Sequence, residues 1–198
     1  RRRVIEDLIM ICGVLKFTDR KVYLTVYFLD LFLYELTFDF TYKNKNLLFY
    51  SCLLMAIKME ETCYPNSKEM QKILHVRIDI DTHRALEYEI MRQLEYKCCP
   101  LVISDYIEVC ASLVELSVRE FIRIKYFLEL CLQIKFHIPD YKVFIGCLLI
   151  SADEDRRGFL SFKQSRRDKI VDFVWENFGI GKDEAGYLES LCSSKIEA

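Results

Sequence analysis

The sequence predicts an all-α protein made of two five-helix bundles in tandem. Residues 46–57 carry no charge and are rich in Leu, Met and Ala, which favours a buried helix over a strand. This segment is too short to span a membrane, which requires about 20 residues. Six glycines and three prolines are few for a sheet protein with many turns. In addition, the pattern of the first half of the chain returns in the second half.

Five helices are predicted in the first half of the chain. They cover approximately residues 4–15, 20–36, 46–61, 68–75 and 79–96. The third of these is the central helix, and its uncharged part, residues 46–57, is apolar on all sides, so neighbouring helices must bury that part completely. Its small residues, including Ser51 and Cys52, would allow those neighbours to approach closely.

Five further helices are predicted in the second half. They cover approximately residues 101–113, 118–136, 139–155, 162–178 and 182–193. The motif F-I-G-C-L-L-I-S, which starts at Phe144, repeats the motif F-Y-S-C-L-L-M-A, which starts at Phe49. This similarity indicates a structural repeat of about 100 residues. We therefore predict two domains, one over residues 1–98 and the other over residues 99–198.

The end of the central helix contradicts a local preference. Glu60 and Glu61 occupy the last turn, where the helix dipole disfavours carboxylates. Lys58 emerges where the apolar run stops. Such breaches of local preference occur more often at functional sites. The other interpretation is a solvated, charged helix end without a function. If the charges of the last turn are the only evidence, this second interpretation is favoured.

Charge and cysteine content limit the classes of function. A net charge of −2 gives no reason to expect a nucleic-acid or membrane partner. The nine cysteines include no C-x-x-C pair, which indicates reduced structural thiols in an intracellular protein. Three scattered histidines have no ligand spacing, so no metal site is predicted. No catalytic set or cofactor motif is present, and we expect neither an enzyme nor a small-molecule ligand. Because the chain begins at Arg1 without a methionine and shows no signal peptide, we expect a fragment.

Several features taken together resemble the cyclin box. The central helix ends in A-x-K-x-E-E, and a proline follows soon after it. Five positions typical of the family occur in order, namely Arg2, Asp30, Leu47, Lys58 and Glu87. The segment L-E-Y-K-C-C-P-L-V-I, which starts at Leu94, is similar to the family's link between two helical repeats. The resemblance covers nearly the whole chain, is strongest over residues 2–107, and implies a cyclin-like fold.

The resemblance implies a regulatory subunit that binds and activates a cyclin-dependent serine/threonine protein kinase. It also implies a role in cell-cycle control and a location in the nucleus, the cytoplasm or both. In the family, the residues that match Lys58 and Glu87 contact the kinase. Met59, Met91 and Tyr96 would supply apolar contacts near them. Packing in the core is an equally good interpretation of Met91 and Tyr96.

The resemblance further implies a structural salt bridge between Arg2 and Asp30. A carboxylate buried in the middle of an aromatic helix needs a partner, and Arg2 would supply it. The other interpretation places Asp30 on an exposed face of that helix. Leu47 is expected to be a core residue under either interpretation.

Two departures from the family pattern affect the expected function. Many cell-cycle cyclins carry, on the first helix, a patch built around a Trp and a Glu that binds Arg-x-Leu peptides. If Asp7 matches the family's Asp, Leu8 and Ile11 take those two positions, which removes an aromatic anchor and a charge partner. The helix that precedes the first repeat in many cyclins is absent from this sequence, so we expect a lower kinase affinity than in the intact protein.

The main alternative keeps the fold and changes the function. Cyclin-type repeats also occur in transcription factor IIB and in pocket proteins resembling retinoblastoma. The alternative is therefore an interaction module of transcription, similar to a transcription cyclin or to transcription factor IIB, without a cell-cycle role. A protein similar to transcription factor IIB should be basic to neutralise DNA phosphates, so the net charge of −2 favours the kinase regulator. A module that has lost kinase binding is a further alternative. The basic cluster of Lys163, Arg166, Arg167 and Lys169 fits a solvated helix face better than a nucleic-acid contact.

Overall fold

The computed structural model describes residues 2–35, 45–74, 77, 79–96, 100–134, 140–153 and 160–196. Within these ranges there are ten helices and no strand, which confirms the all-α fold class. They are α1 (Arg2–Val14), α2 (Asp19–Glu35), α3 (Lys45–Glu60), α4 (Ser67–Leu74), α5 (Ile80–Gln93), α6 (Ile103–Leu113), α7 (Val118–Gln133), α8 (Asp140–Asp153), α9 (Leu160–Phe178) and α10 (Lys182–Ile196). Among the described residues, no helix combines the length and the hydropathy needed to cross a lipid bilayer.

The chain divides into two compact units. The first unit comprises Asp7–Val102, and the second comprises Ile103–Ala198 together with Arg1–Glu6. The domain boundary that the sequence predicts between residues 98 and 99 lies outside the described residues and stays a prediction.

The buried centre of the first unit is α3. Every residue from 50 to 57 is buried, and Leu53 is fully inaccessible to solvent. α2 and α5 pack against this helix. Ser51 makes one of these contacts, since its Oγ lies 2.8 Å from Nδ1 of His83 on α5. The predicted burial on every side is therefore confirmed for residues 50–57, whereas both ends of the helix reach the surface.

The corresponding helix of the second unit is α8. Residues 143–151 are all buried, and α7 and α10 pack against them. Gly146 takes the place in the repeated motif that Ser51 takes in the first unit. A Cβ at Gly146 would lie 2.5 Å from Cys192 Sγ and 2.9 Å from the Leu188 carbonyl oxygen, both on α10. The small residue of each motif thus marks the place where another helix packs closely.

One member of the basic cluster has a structural contact within the second unit. Arg167 Nη2 lies 2.6 Å from Glu189 Oε2 and joins α9 to α10. Lys169 is exposed, in agreement with a solvated helix face. The side chains of Lys163 and Arg166 lie outside the described part of the chain.

Candidate functional site

Lys58 and Glu87 form an ion pair between two helices of the first unit. Lys58 lies in the last turn of α3, Glu87 lies on α5, and the distance from Lys58 Nζ to Glu87 Oε1 is 2.5 Å. Their side chains are 30% and 21% exposed, so both reach the surface. The structure therefore brings together the two charged residues that the family resemblance places in a partner-binding site.

A defined N-terminal cap sets the position of α5. The Asp79 carboxylate accepts hydrogen bonds from the Thr82 hydroxyl at 2.5 Å and from the Thr82 backbone N–H at 2.9 Å. Both hydrogen bonds lower the pKa of the exposed Asp79 carboxyl, and the bond from the hydroxyl has the larger effect. An ionised carboxylate also interacts favourably with the N-terminal end of the helix dipole. The predicted start of this helix at Asp79 is thus confirmed as a cap.

His83 attaches α5 to α3 one turn before Glu87. Its side chain is 1% exposed, Nδ1 contacts Ser51 Oγ, and its ring meets the edge of the Tyr50 ring at a centroid distance of 5.2 Å. Its Nε2 lies 3.9 Å from Glu87 Oε2 and has no hydrogen-bond partner among the described residues. Burial lowers the pKa of His83, while the charge of Glu87 acts in the opposite direction. The ring is therefore neutral near pH 7.

Sequence patterns did not select His83, although a signal was present. Ile90 on α5 and Leu94, the residue that caps its C-terminal end, belong to one apolar stripe, and His83 continues that stripe towards the N-terminus. Ile90 and Leu94 are both buried, and so is His83. A histidine on the apolar face of a helix, one turn before a candidate site residue, is the feature that could have identified it.

The two carboxylates at the end of α3 bind the start of α2. The guanidinium of Arg20 pairs with Glu60, and Lys21 Nζ lies 2.6 Å from Glu61 Oε1. The Lys21 side chain is only 1% exposed, and its Nζ also donates to Thr18 Oγ1 at 3.2 Å. These cations offset the unfavourable interaction of two carboxylates with the C-terminal end of the helix dipole. Glu60 and Glu61 thus have a structural role, which the local sequence pattern did not indicate.

The three expected apolar contacts differ in their exposure. Met59 and Met91 are half-buried, whereas Tyr96 is 59% exposed. Met91 lies one turn after Glu87, on the same side of α5. Tyr96 follows the end of the helix, and its backbone N–H donates to the Met91 carbonyl oxygen at 3.0 Å. A side-chain hydrogen bond with the exposed Tyr88 raises the pKa of Tyr96.

A comparison with protein families matches residues 1–99 to the N-terminal domain of cyclins. The chain belongs to the cyclin family. The matched region covers half of this cyclin and includes α1 to α5, and with them Lys58 and Glu87. The family membership inferred from the sequence is therefore confirmed. No curated protein matches the chain significantly.

The other three positions typical of the cyclin box, Arg2, Asp30 and Leu47, lie away from the Lys58–Glu87 ion pair in sequence, and the first of them is more exposed than the other two. Arg2 Nε donates to Glu6 Oε1 at 3.0 Å within α1, and their side chains are 76% and 48% exposed. Asp30 is half-buried on α2, and its salt bridge with Arg2 stays a prediction. Leu47 is half-buried beside the fully buried Leu48, so it lies at the border of the core.

The first helix of this cyclin also differs from that of family members with a peptide-docking patch. Leu8, at the position where those members carry the Trp, is 0% exposed, and Ile11 is half-buried. The exposed large apolar residues of this helix are Val4, Met10 and Val14. Leu8 is therefore a core residue and offers no surface anchor for a docked peptide.

Proposed function

We propose that this cyclin binds and activates a cyclin-dependent serine/threonine protein kinase in cell-cycle control, in the nucleus, the cytoplasm or both. The observation that supports the proposal is the Lys58–Glu87 pair at the surface of the cyclin box. An ammonium group has three donors and a carboxylate has several acceptor sites, so each keeps capacity for a partner's backbone or side chains. The protein is then a regulatory subunit and not itself an enzyme.

The surroundings of the pair make it a rigid contact point. Lys58 follows the buried part of α3, and Glu87 is carried by α5, which the contact between Ser51 and His83 attaches to α3. Groups that are already ordered lose little conformational entropy when a partner binds. The pair can therefore act as a preformed surface for a partner that is itself mobile.

Activation follows if the cyclin binds one conformation of the kinase better than the other. A protein kinase is active when a Glu on its mobile helix pairs with the Lys that contacts ATP. A rigid surface that binds this helix in its inward position shifts the equilibrium towards the active state. Met59, Met91 and Tyr96 would add apolar contacts around the charged pair, and Tyr96 offers the largest exposed fraction of the three.

Reconstitution with purified kinases tests this proposal. The cyclin is added to each member of a panel of monomeric cyclin-dependent kinases, and phosphate transfer to a peptide substrate is measured. We expect at least one kinase to be activated, with saturation near a one-to-one ratio. A module similar to transcription factor IIB predicts that no kinase of the panel is bound or activated, whereas a transcription cyclin predicts activation only of kinases that act in transcription.

A further inference from the structure

Three cysteines that are distant in sequence meet in the core of the second unit. Cys131 lies on α7, Cys147 on α8 and Cys192 on α10, and their exposed fractions are 3%, 0% and 0%. We call them the cysteine triad. Their Sγ atoms all lie within 4.8 Å of one another, and the distance from Cys131 Sγ to Cys147 Sγ is 3.5 Å. Their separation in sequence matches no familiar metal-site spacing, so sequence patterns could not indicate them.

The arrangement of the cysteine triad suits three bonds to one ion. A zinc–thiolate bond is about 2.3 Å long, and three sulfurs in a plane around such an ion lie about 4.0 Å apart. A pyramidal ion brings the three sulfurs closer together. Gly146 contributes to this geometry, because Cys192 Sγ occupies the space that a Cβ at that position would require.

Burial limits the charge of the ion. Three thiolates carry three negative charges, so an ion with one or two positive charges leaves a net negative charge in the core. An uncompensated charge among buried apolar groups is strongly disfavoured. A trivalent ion bound by three thiolates is neutral. Sulfur ligands also select soft ions over hard ones.

We propose that the cysteine triad is a binding site for a trivalent thiophilic metalloid, for which As(III) is the probe. Arsenite enters as the neutral molecule As(OH)3. Each thiol replaces one hydroxyl group, so that an S–H bond and an As–O bond break while an As–S bond and an O–H bond of water form. Three waters leave, the oxidation state of arsenic is unchanged, and no net charge enters the core. The product links α7, α8 and α10 through one atom.

The test uses the reduced chain of all 198 residues. Cys98→Ser and Cys99→Ser are introduced because adjacent cysteines can bind arsenite independently. Arsenite is titrated while the melting temperature is recorded. An ion that binds only the folded state, at a concentration 100-fold above its Kd, should raise the melting temperature by about 5–10 °C. X-ray absorption of the complex should show three sulfur neighbours around each arsenic, with one arsenic bound per chain.

Matched variants separate the cysteine triad from other thiols. Cys147→Ala should abolish the rise in melting temperature, whereas Cys110→Ala, which removes a thiol of α6 that is 1% exposed, should preserve it. Fewer than three sulfur neighbours in the arsenic spectrum would overturn the proposal, and this measurement remains decisive if Cys147→Ala fails to fold. A larger rise with Zn(II) or Cu(I) than with arsenite would also overturn it, because the charge argument selects against both.

Discussion

Lys58 Nζ lies 2.5 Å from Glu87 Oε1, which joins the end of α3 to α5 at the surface of the cyclin box. A partly exposed ion pair contributes only about 0–1 kcal/mol to stability. Truncating one partner of a charged contact that an interface buries costs about 2–5 kcal/mol, or roughly 30-fold to several thousand-fold in affinity. We therefore expect Lys58→Ala and Glu87→Ala each to weaken kinase activation by such a factor and to leave the melting temperature almost unchanged.

The second unit offers a matched control for this experiment. Lys142 Nζ also lies 2.5 Å from a carboxylate, that of Glu184, and the two side chains are 27% and 43% exposed. The double variant Lys142→Ala/Glu184→Ala should activate the kinase normally. Normal activation by Lys58→Ala/Glu87→Ala at near-stoichiometric concentration would contradict the proposed site. A large drop in its melting temperature would instead show that the pair is structural.

Glu60 and Glu61 are adjacent, yet their removal should have different consequences. Glu61→Gln leaves the buried ammonium of Lys21 without that carboxylate, and because Glu61 is itself 38% exposed the loss should be about 1–3 kcal/mol of unfolding free energy. Glu60→Gln should cost about 0–1 kcal/mol, because its partner Arg20 is 31% exposed and can be hydrated. Urea denaturation of the two variants measures this difference. Equal losses would mean that the burial of Lys21 does not govern the energetics.

His83 should make the stability of the protein depend on pH. Burial lowers its pKa in the folded state, whereas the unfolded chain has the ordinary value of about 6.5. Below that pH the unfolded state binds a proton that the folded state excludes, so stability should fall as the pH falls. The slope is at most about 1.4 kcal/mol per pH unit, and it should vanish above about pH 7.

His83→Gln isolates this contribution, because the amide can hydrogen-bond to Ser51 but does not titrate. Denaturation of the parent and the variant from about pH 5.5 to pH 7.5 should show a smaller slope for the variant. His75→Gln and His137→Gln serve as controls for the other two histidines of the chain. If the unfolding free energy changes with pH equally in the parent and in all three variants, His83 is not the group that titrates.

Two glycines of the second unit should respond oppositely to alanine. At Gly146 the new Cβ would lie 2.9 Å from a backbone oxygen of α10 that cannot easily move, and such overpacking costs about 1–3 kcal/mol. At Gly186, within α10, nothing lies within 4 Å of the new Cβ, so the higher helix propensity of alanine should add about 0.5–1 kcal/mol. Thermal denaturation of Gly146→Ala and Gly186→Ala tests both signs. Stabilisation by Gly146→Ala would contradict the close packing of α8 and α10.

The local sequence was sufficient to predict the helices, because helix formation and burial follow from short-range periodicity. Residues 50–57 of the uncharged run became the buried part of α3, and the repeated motif identified α8 as its counterpart. The helix start at Asp79 was predictable from the residue types of Asp79, Asp81 and Thr82. The family resemblance selected Lys58 and Glu87, although the residue pattern by itself left a solvated helix end as the simpler interpretation.

Pairing between helices required the three-dimensional packing. The contacts of Lys21 with Glu61 and of Ser51 with His83, like the meeting of the cysteine triad, join residues on different helices. Such contacts depend on how helices cross and on which side chains face each other there. A periodic pattern tells which face of a helix is buried but not which helix covers it. For that reason the position of Glu61 in the sequence showed that this residue is unusual, but it did not show that Lys21 is its partner.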